Sequence, residues 1–204
     1  MICCGMEAAM LANARKIGST GAIISTVGLL FSMLLAYIPI VTIAIGGPLT
    51  TAGIIAVVIA LKRISEAVKQ PEIYRFALYS AAATVAGMVA VVLLMLAWPP
   101  AYASVLGSPD PYTYAFTFPS YYLFGAIAVI GISAIFTIAS AFLLKKSLDI
   151  VGDRLGIKTF KTSGLLLFLG AVLALVFVGV YISIAGYIIL AVAFQTIRAE
   201  NRWP

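Results

Sequence analysis

Two carboxylates in the second half of the chain have a spacing that could support chemistry. Asp149 and Asp153 are four residues apart and would share one face of a helix. Paired acids can hold a divalent ion against a phosphate, which makes a lipid-active enzyme one alternative. A richer acidic motif is absent, however, and Lys145 and Arg154 stand beside the two acids. We therefore expect a solvated, salt-bridged connector.

Other catalytic patterns are missing from the sequence. It contains no histidine, which is the commonest general base and metal ligand. There is no glycine-rich phosphate loop, no Ser/His/Asp set and no Cys/His metal spacing. We expect a protein that is not an enzyme and that carries no cofactor and no metal.

A glycine-rich interruption is the second candidate site. Gly46, Gly47 and Pro48 lie within the uncharged tract from Ile17 to Leu61. Glycine suits a loop and proline suits a first helical position, so the tripeptide favours a simple turn before a second helix. If that helix instead begins near Ile40, the tripeptide is a helix break at membrane depth, a feature of transport sites.

Hydroxyl side chains offer the only other polarity inside the apolar tracts. No Asp, Glu, Lys or Arg lies well within them, which argues against a proton-coupled pump. The hydroxyls could line a path for a neutral solute, but bonds to their own helix or between helices are the favoured interpretation. They are Ser25, Thr26, Ser32, Thr84, Ser133, Thr137 and Ser140.

The segment 99–120 is rich in proline and in alternating aromatic residues. Its aromatic side chains would form one face if the segment is extended. They are Tyr112, Tyr114, Phe116 and Phe118. The segment is either an aromatic belt at the outer membrane interface or a docking surface for a membrane-protein or envelope partner.

The elements that position these residues are membrane helices. The 204-residue chain is 63% apolar and 10% charged, whereas a soluble domain is about 45–50% apolar and about 25% charged. The net charge of +6 comes from basic residues that flank the apolar tracts, which excludes nucleic acid as a partner and indicates membrane orientation. We expect a multi-pass protein of the cell membrane, in contact with the lipid bilayer.

The apolar tracts predict an all-α bundle of six transmembrane helices, with five as the alternative. The choice depends on the tract 162–197, for which we predict a turn near Val178–Tyr181, with Gly179 as the turn residue. Six crossings place all 13 basic residues on one side, with both termini cytoplasmic. The predicted helices are about 17–38, 48–65, 73–98, 121–144, 160–178 and 180–197, within a single domain at 17–198. The remainder is the cytoplasmic tail 1–16, the outer loop 99–120, the cytoplasmic loop 145–159 and the cytoplasmic tail 199–204.

Two sequence patterns concern how these helices associate. Small residues recur every four positions in the stretches 52–60 and 82–90, which favours close helix packing within the chain or in a homo-oligomer. The stretch 52–60 also resembles 185–193, and 19–21 resembles 162–164. If these sequence similarities reflect duplication, helices one–two and five–six are related hairpins in a parallel repeat.

The order of several motifs resembles a known family. They are Asn13–Ala22 at the start of helix one, Ala52–Ala67 across helix two, Phe160–Gly164, and Leu169–Val172. Together they resemble the small, mostly archaeal integral membrane proteins catalogued as domain of unknown function 996. The resemblance covers about 13–67 and 145–197 and implies a polytopic membrane fold, without an activity or site residues.

These observations favour a non-enzymatic structural or accessory membrane component. It would act through helix packing and the outer aromatic loop. The alternative is a channel or facilitator for a small neutral or hydrophobic solute, with Gly46, Gly47 and Pro48 at its site.

Overall fold

The computed structural model describes residues 2–34, 46–97, 120–174 and 178–197, and these ranges are helical apart from short turns. They contain six helices, which confirms the all-α expectation. The helices are α1 (Ile2–Leu34), α2 (Gly47–Val68), α3 (Pro71–Ala97), α4 (Ser120–Leu155), α5 (Lys158–Leu173) and α6 (Val178–Gln195). Four of them, α1, α3, α4 and α6, contain stretches long and apolar enough to cross a membrane.

Consecutive helices pack against one another in antiparallel fashion. In the first hairpin, Gly28 of α1 faces Thr50 of α2, and the earlier Gly21 faces the later Ala56. The same arrangement holds along the chain from α2 to α6, and α6 in turn packs on α1. The six helices therefore form a closed ring in which each helix has two main neighbours.

One end of this ring, here called the charged end, contains the α2–α3 and α4–α5 turns. All eleven basic residues of the described ranges lie at this end, together with the five acidic residues Glu7, Glu66, Glu72, Asp149 and Asp153. The basic residues are Arg15, Lys16, Lys62, Arg63, Lys69, Arg75, Lys145, Lys146, Arg154, Lys158 and Lys161. The rest of each described helix is free of Asp, Glu, Lys and Arg, so the molecule is sharply divided into a charged end and an apolar body.

The two turns at the charged end have the same backbone geometry. A residue with positive φ follows the helix, Lys69 (φ 56°) after α2 and Gly156 (φ 67°) after α4. The next amide then donates back across the turn, Gln70 to the Ser65 carbonyl at 3.0 Å and Ile157 to the Gly152 carbonyl at 3.1 Å. This arrangement satisfies carbonyls that a helix end leaves open, and it lets the following helix begin within two residues.

Large apolar side chains fill the ring next to the charged end. Phe160 of α5 and Phe194 of α6 are fully buried and meet edge to face, with ring centroids 5.2 Å apart. Away from this end, in 81–94 of α3 and 127–143 of α4, no apolar side chain is fully buried, and several are largely exposed, for example Ile135 at 68%. An apolar surface of this extent is unfavourable in water, and together with the four long apolar helices it indicates a membrane protein.

Several helix limits differ from the sequence expectation. Residues 2–16, expected as a tail, are the first turns of α1, where Leu11 and Ala14 are buried. Most of the expected loop 145–159 is the last part of α4, because Leu148 and Val151 pack into the core and continue the helix. The connection between α4 and α5 is reduced to Gly156 and Ile157.

Candidate functional site

The tripeptide Gly46-Gly47-Pro48 lies at the beginning of α2. Gly46 is the N-cap residue and already has helical dihedral angles (φ −66°, ψ −43°), and proline follows within the first turn of the helix. Gly46 is buried and Pro48 is exposed. Residues 35–45 are outside the described ranges. The use of this tripeptide as a solute site stays a prediction.

Glycines bring α1 and α2 into direct backbone contact. A Cβ atom placed on Gly53 would lie 2.6 Å from the Ser25 amide nitrogen and 2.7 Å from the Gly21 carbonyl oxygen. A Cβ on Gly28 would lie 2.7 Å from the Thr50 nitrogen. Real Cβ atoms do not approach this closely, so only glycine permits the observed separation of the two helices.

Three hydroxyls along this contact donate hydrogen bonds to backbone carbonyls of their own helix. Thr26 donates to the Ala22 carbonyl and Ser32 to the Gly28 carbonyl, both at 2.9 Å. Thr50 donates to the Gly46 carbonyl at 2.8 Å. Bonds of this kind keep a hydroxyl within its own helix. The sequence interpretation of these side chains as helix-satisfied groups agrees with this geometry.

Ser25 is the exception in the first hairpin. Its hydroxyl is fully buried, and among the described residues it is the buried side-chain oxygen without a hydrogen-bond partner. It is packed against Gly53, whose missing side chain leaves room for it. A Cβ atom on Gly53 would overlap the Ser25 hydroxyl, so α1 and α2 are in direct contact at this point.

The α5–α6 hairpin contains the same close contact. A Cβ on Gly170 would lie 2.8 Å from the Ser183 nitrogen and 2.9 Å from the Gly179 carbonyl oxygen. Gly179 was predicted as the turn between these helices, but it lies inside α6, which begins at Val178. Its physical role is therefore close packing against the end of α5. Residues 175–177 are outside the described ranges.

A cluster of three hydroxyls joins α3 to α4. The Ser140 hydroxyl lies 3.0 Å from that of Ser80 and 2.8 Å from that of Thr84, and it donates to the Ser80 carbonyl at 3.0 Å. The sequence singled out Thr84 and Ser140 but missed Ser80, although the four-residue spacing of Ser80 and Thr84 was the available signal. By contrast, Ser133 is only partly buried and donates to the Ile130 carbonyl of its own helix.

The two acids considered for metal chemistry are each paired with a lysine. Asp149 lies 3.3 Å from the Lys145 ammonium, one turn earlier on α4, and Asp153 pairs with Lys161 of α5. No group of three metal-ligating side chains occurs in the described part of the chain. Both are surface ion pairs, and the Asp153–Lys161 pair joins α4 to α5.

The predicted partner surface cannot be placed in this way. Tyr112, Tyr114, Phe116 and Phe118 all lie in the segment 98–119, outside the described residues. Their role as a docking surface stays a prediction.

Comparison with known proteins gives a family without an assigned activity. The model of the family described as "Protein of unknown function (DUF996)" matches residues 49–188. The uncharacterized protein MJ1644 of Methanocaldococcus jannaschii is 28% identical over 195 residues, which cover 94% of this chain and 97% of that protein. No solved structure matches the chain.

Proposed function

We propose that this chain, which belongs to the DUF996 family of proteins of unknown function, crosses the cell membrane six times with both ends in the cytoplasm. The distribution of charge supports this proposal, because every basic residue of the described ranges lies at the charged end. Lysine and arginine are enriched on the cytoplasmic side of membrane proteins. The charged end is accordingly the cytoplasmic end. The helix α5 has 16 residues, about 24 Å, and would cross by packing beside α4 and α6.

Labelling of single cysteines tests this topology. Cys3 and Cys4 are replaced by serine, and one cysteine is introduced by Lys158→Cys, Tyr112→Cys or Arg198→Cys. A maleimide that cannot cross membranes is expected to label Tyr112→Cys in intact cells and the other two only after permeabilisation. Labelling of Arg198→Cys in intact cells would mean five crossings, and labelling of Lys158→Cys would reverse the orientation.

The proposed role is that of a non-enzymatic structural or accessory component of the membrane. This role is supported by the contacts that the small and polar groups make. Glycines and hydroxyls hold the helix pairs together, and the carboxylates Asp149 and Asp153 are paired with lysines. These groups stabilise helix packing and surface ion pairs. We therefore propose that the bundle acts as a scaffold that presents a surface to a partner.

The partner surface that we propose is the outer aromatic loop. The test is gentle purification from native membranes, with mass spectrometry of the proteins that stay bound. We expect a stoichiometric partner that is lost when Tyr112, Tyr114, Phe116 and Phe118 are all replaced by serine. The control is Tyr181→Ser, which changes an exposed aromatic residue at the start of α6 and should retain the partner.

Two results would contradict this role. Partner binding that survives the fourfold loop replacement would exclude the loop as the docking surface. A chain that purifies without a partner and carries a small neutral solute into liposomes would instead be a facilitator, and Gly46, Gly47 and Pro48 would then be the first positions to substitute.

A further inference from the structure

A lysine at the charged end is held against two aromatic rings. The Lys146 ammonium of α4 lies 5.6 Å from the centroid of Phe76 on α3 and 5.2 Å from that of Phe142 on α4. Phe142 in turn meets Phe168 of α5 at 6.0 Å between centroids, with the rings inclined by 60°. These four residues, here called the Lys146 cluster, span the outer surface of three consecutive helices.

The cluster lies at the boundary between the apolar body and the charged end. Phe76 follows Arg75, the last charged residue before the apolar run of α3. On α4, the apolar run ends at Leu144, immediately before Lys145 and Lys146. In a membrane, this is the level at which aromatic rings and lysine side chains meet the lipid headgroups.

The ammonium of Lys146 differs from those of its neighbours in what it contacts. Lys145 is engaged by Asp149, and Lys161 is engaged by Asp153. Among the described residues, no carboxylate forms an ion pair with Lys146. The residue is exposed. The two rings stabilise the cation through their faces and leave its N–H donors available to an anion.

We propose that the Lys146 cluster binds the phosphate of an anionic membrane phospholipid, with a lipid chain lying along Phe142 and Phe168. An ammonium is a compact point charge that suits a phosphate group, and basic sites between transmembrane helices on the cytoplasmic side bind anionic headgroups. Phe142 is 43% exposed, so its ring is open to a lipid chain on the membrane side of the bound phosphate. The cluster therefore combines charge and apolar surface in the order in which a phospholipid presents them.

Lipid retention by the purified full-length chain tests the proposal. The protein is incubated in detergent with equal amounts of dioleoyl phosphatidylglycerol and dioleoyl phosphatidylcholine, and the bound lipids are counted by native mass spectrometry. We expect the wild type to prefer phosphatidylglycerol. Lys146→Gln should weaken that binding about tenfold, as expected for loss of a hydrogen bond to a charged group. Phe142→Leu should weaken it about threefold, since only the ring face is lost.

The matched control is Lys158→Gln. Lys158 is another exposed lysine of the charged end, and its substitution removes the same charge, so binding should change by less than about twofold if the site is specific. An equal loss in both variants would mean general attraction to the basic surface and would overturn the proposal. So would unchanged binding in Lys146→Gln, or displacement of the lipid by inorganic phosphate. The proposal rests on the proposed membrane placement and cytoplasmic orientation of the charged end, which cysteine labelling tests separately, so it stands or fails independently of a protein partner.

Discussion

The contact between α1 and α2 makes Gly53 sensitive to the smallest possible substitution. Gly53→Ala adds one methyl group, which would lie 2.6 Å from the Ser25 nitrogen and 2.7 Å from the Gly21 oxygen. Non-bonded atoms pack favourably at about 3.5–4.0 Å, so the two helices would have to separate by roughly 1 Å. Because the obstructing atoms belong to the backbone, no side-chain rotation can relieve the overlap.

The expected size of the effect is a balance of two terms. Overpacking a close contact costs about 1–3 kcal/mol, and rigid backbone neighbours place this site at the upper end of that range. Alanine is favoured over glycine in a helix by about 1 kcal/mol, which offsets part of the cost. We therefore expect Gly53→Ala to lower the free energy of unfolding by about 2 kcal/mol.

The assay is unfolding in mixed micelles by titration with SDS, followed by circular dichroism. Gly131→Ala is the matched control, because a Cβ at this position of α4 meets no atom within 4 Å. It should leave stability unchanged or raise it by up to about 1 kcal/mol. Equal stability of the two variants would refute the idea that backbone contact at Gly53 sets the separation of α1 and α2.

Three further predictions concern other contacts, each read by the same titration. Ser140→Ala should lower the free energy of unfolding by about 0.6–2 kcal/mol, since it removes the hydroxyl bonds between α3 and α4, while Ser133→Ala should have no measurable effect. Gly156→Ala should lower the free energy of unfolding by about 1–2 kcal/mol because of the positive φ of this residue. Steric overlap does not contribute, since a Cβ at this position meets no atom within 4 Å. Unchanged stability would mean that the turn adopts another conformation. Lys161→Gln should cost less than about 1 kcal/mol, and less still at high salt, because its ion pair with Asp153 is largely exposed.

The sequence predicts the apolar bodies of the helices better than their ends. The length of an apolar segment defines where a chain can cross a bilayer. A helix, however, can extend beyond that segment when the following residues favour the helical conformation and pack against neighbouring helices. Leu148 and Val151 carry α4 past its apolar run in this way, because both are fully buried. The same reasoning applies to α1, where Leu11 and Ala14 are buried before the apolar run begins.

The sequence also identifies which kinds of residues join the helices, without showing which of them meet. The sequence indicates that small residues and hydroxyls are packing groups in the apolar tracts. That Gly53 faces Gly21, and that Ser140 faces Ser80, depends on the register and rotation of two helices far apart in sequence. The Lys146 cluster was missed for the same reason, since its rings come from α3, α4 and α5.

The sequence similarity between helices one–two and helices five–six is only partly matched by similar contacts in the α1–α2 and α5–α6 hairpins. In a parallel repeat of helices one–two and five–six, Gly164 would correspond to Gly21 and would face the last helix. It instead packs against Lys145 and Leu148 of α4. The contacts of these two positions therefore differ, although their sequences are similar.

The contact made by Gly53 does recur, but in the opposite chain order. In the first hairpin the glycine is on the second helix, and the Gly-x-x-x-Ser pair that receives it is on the first. In the last hairpin Gly170 is on the first helix, and Gly179 and Ser183 are on the second. Duplication of a hairpin preserves chain order, so it does not account for this correspondence. A glycine that lies against a glycine and a serine one turn apart is better understood as a packing solution reached separately in each hairpin, because small residues are what allow two membrane helices to approach closely.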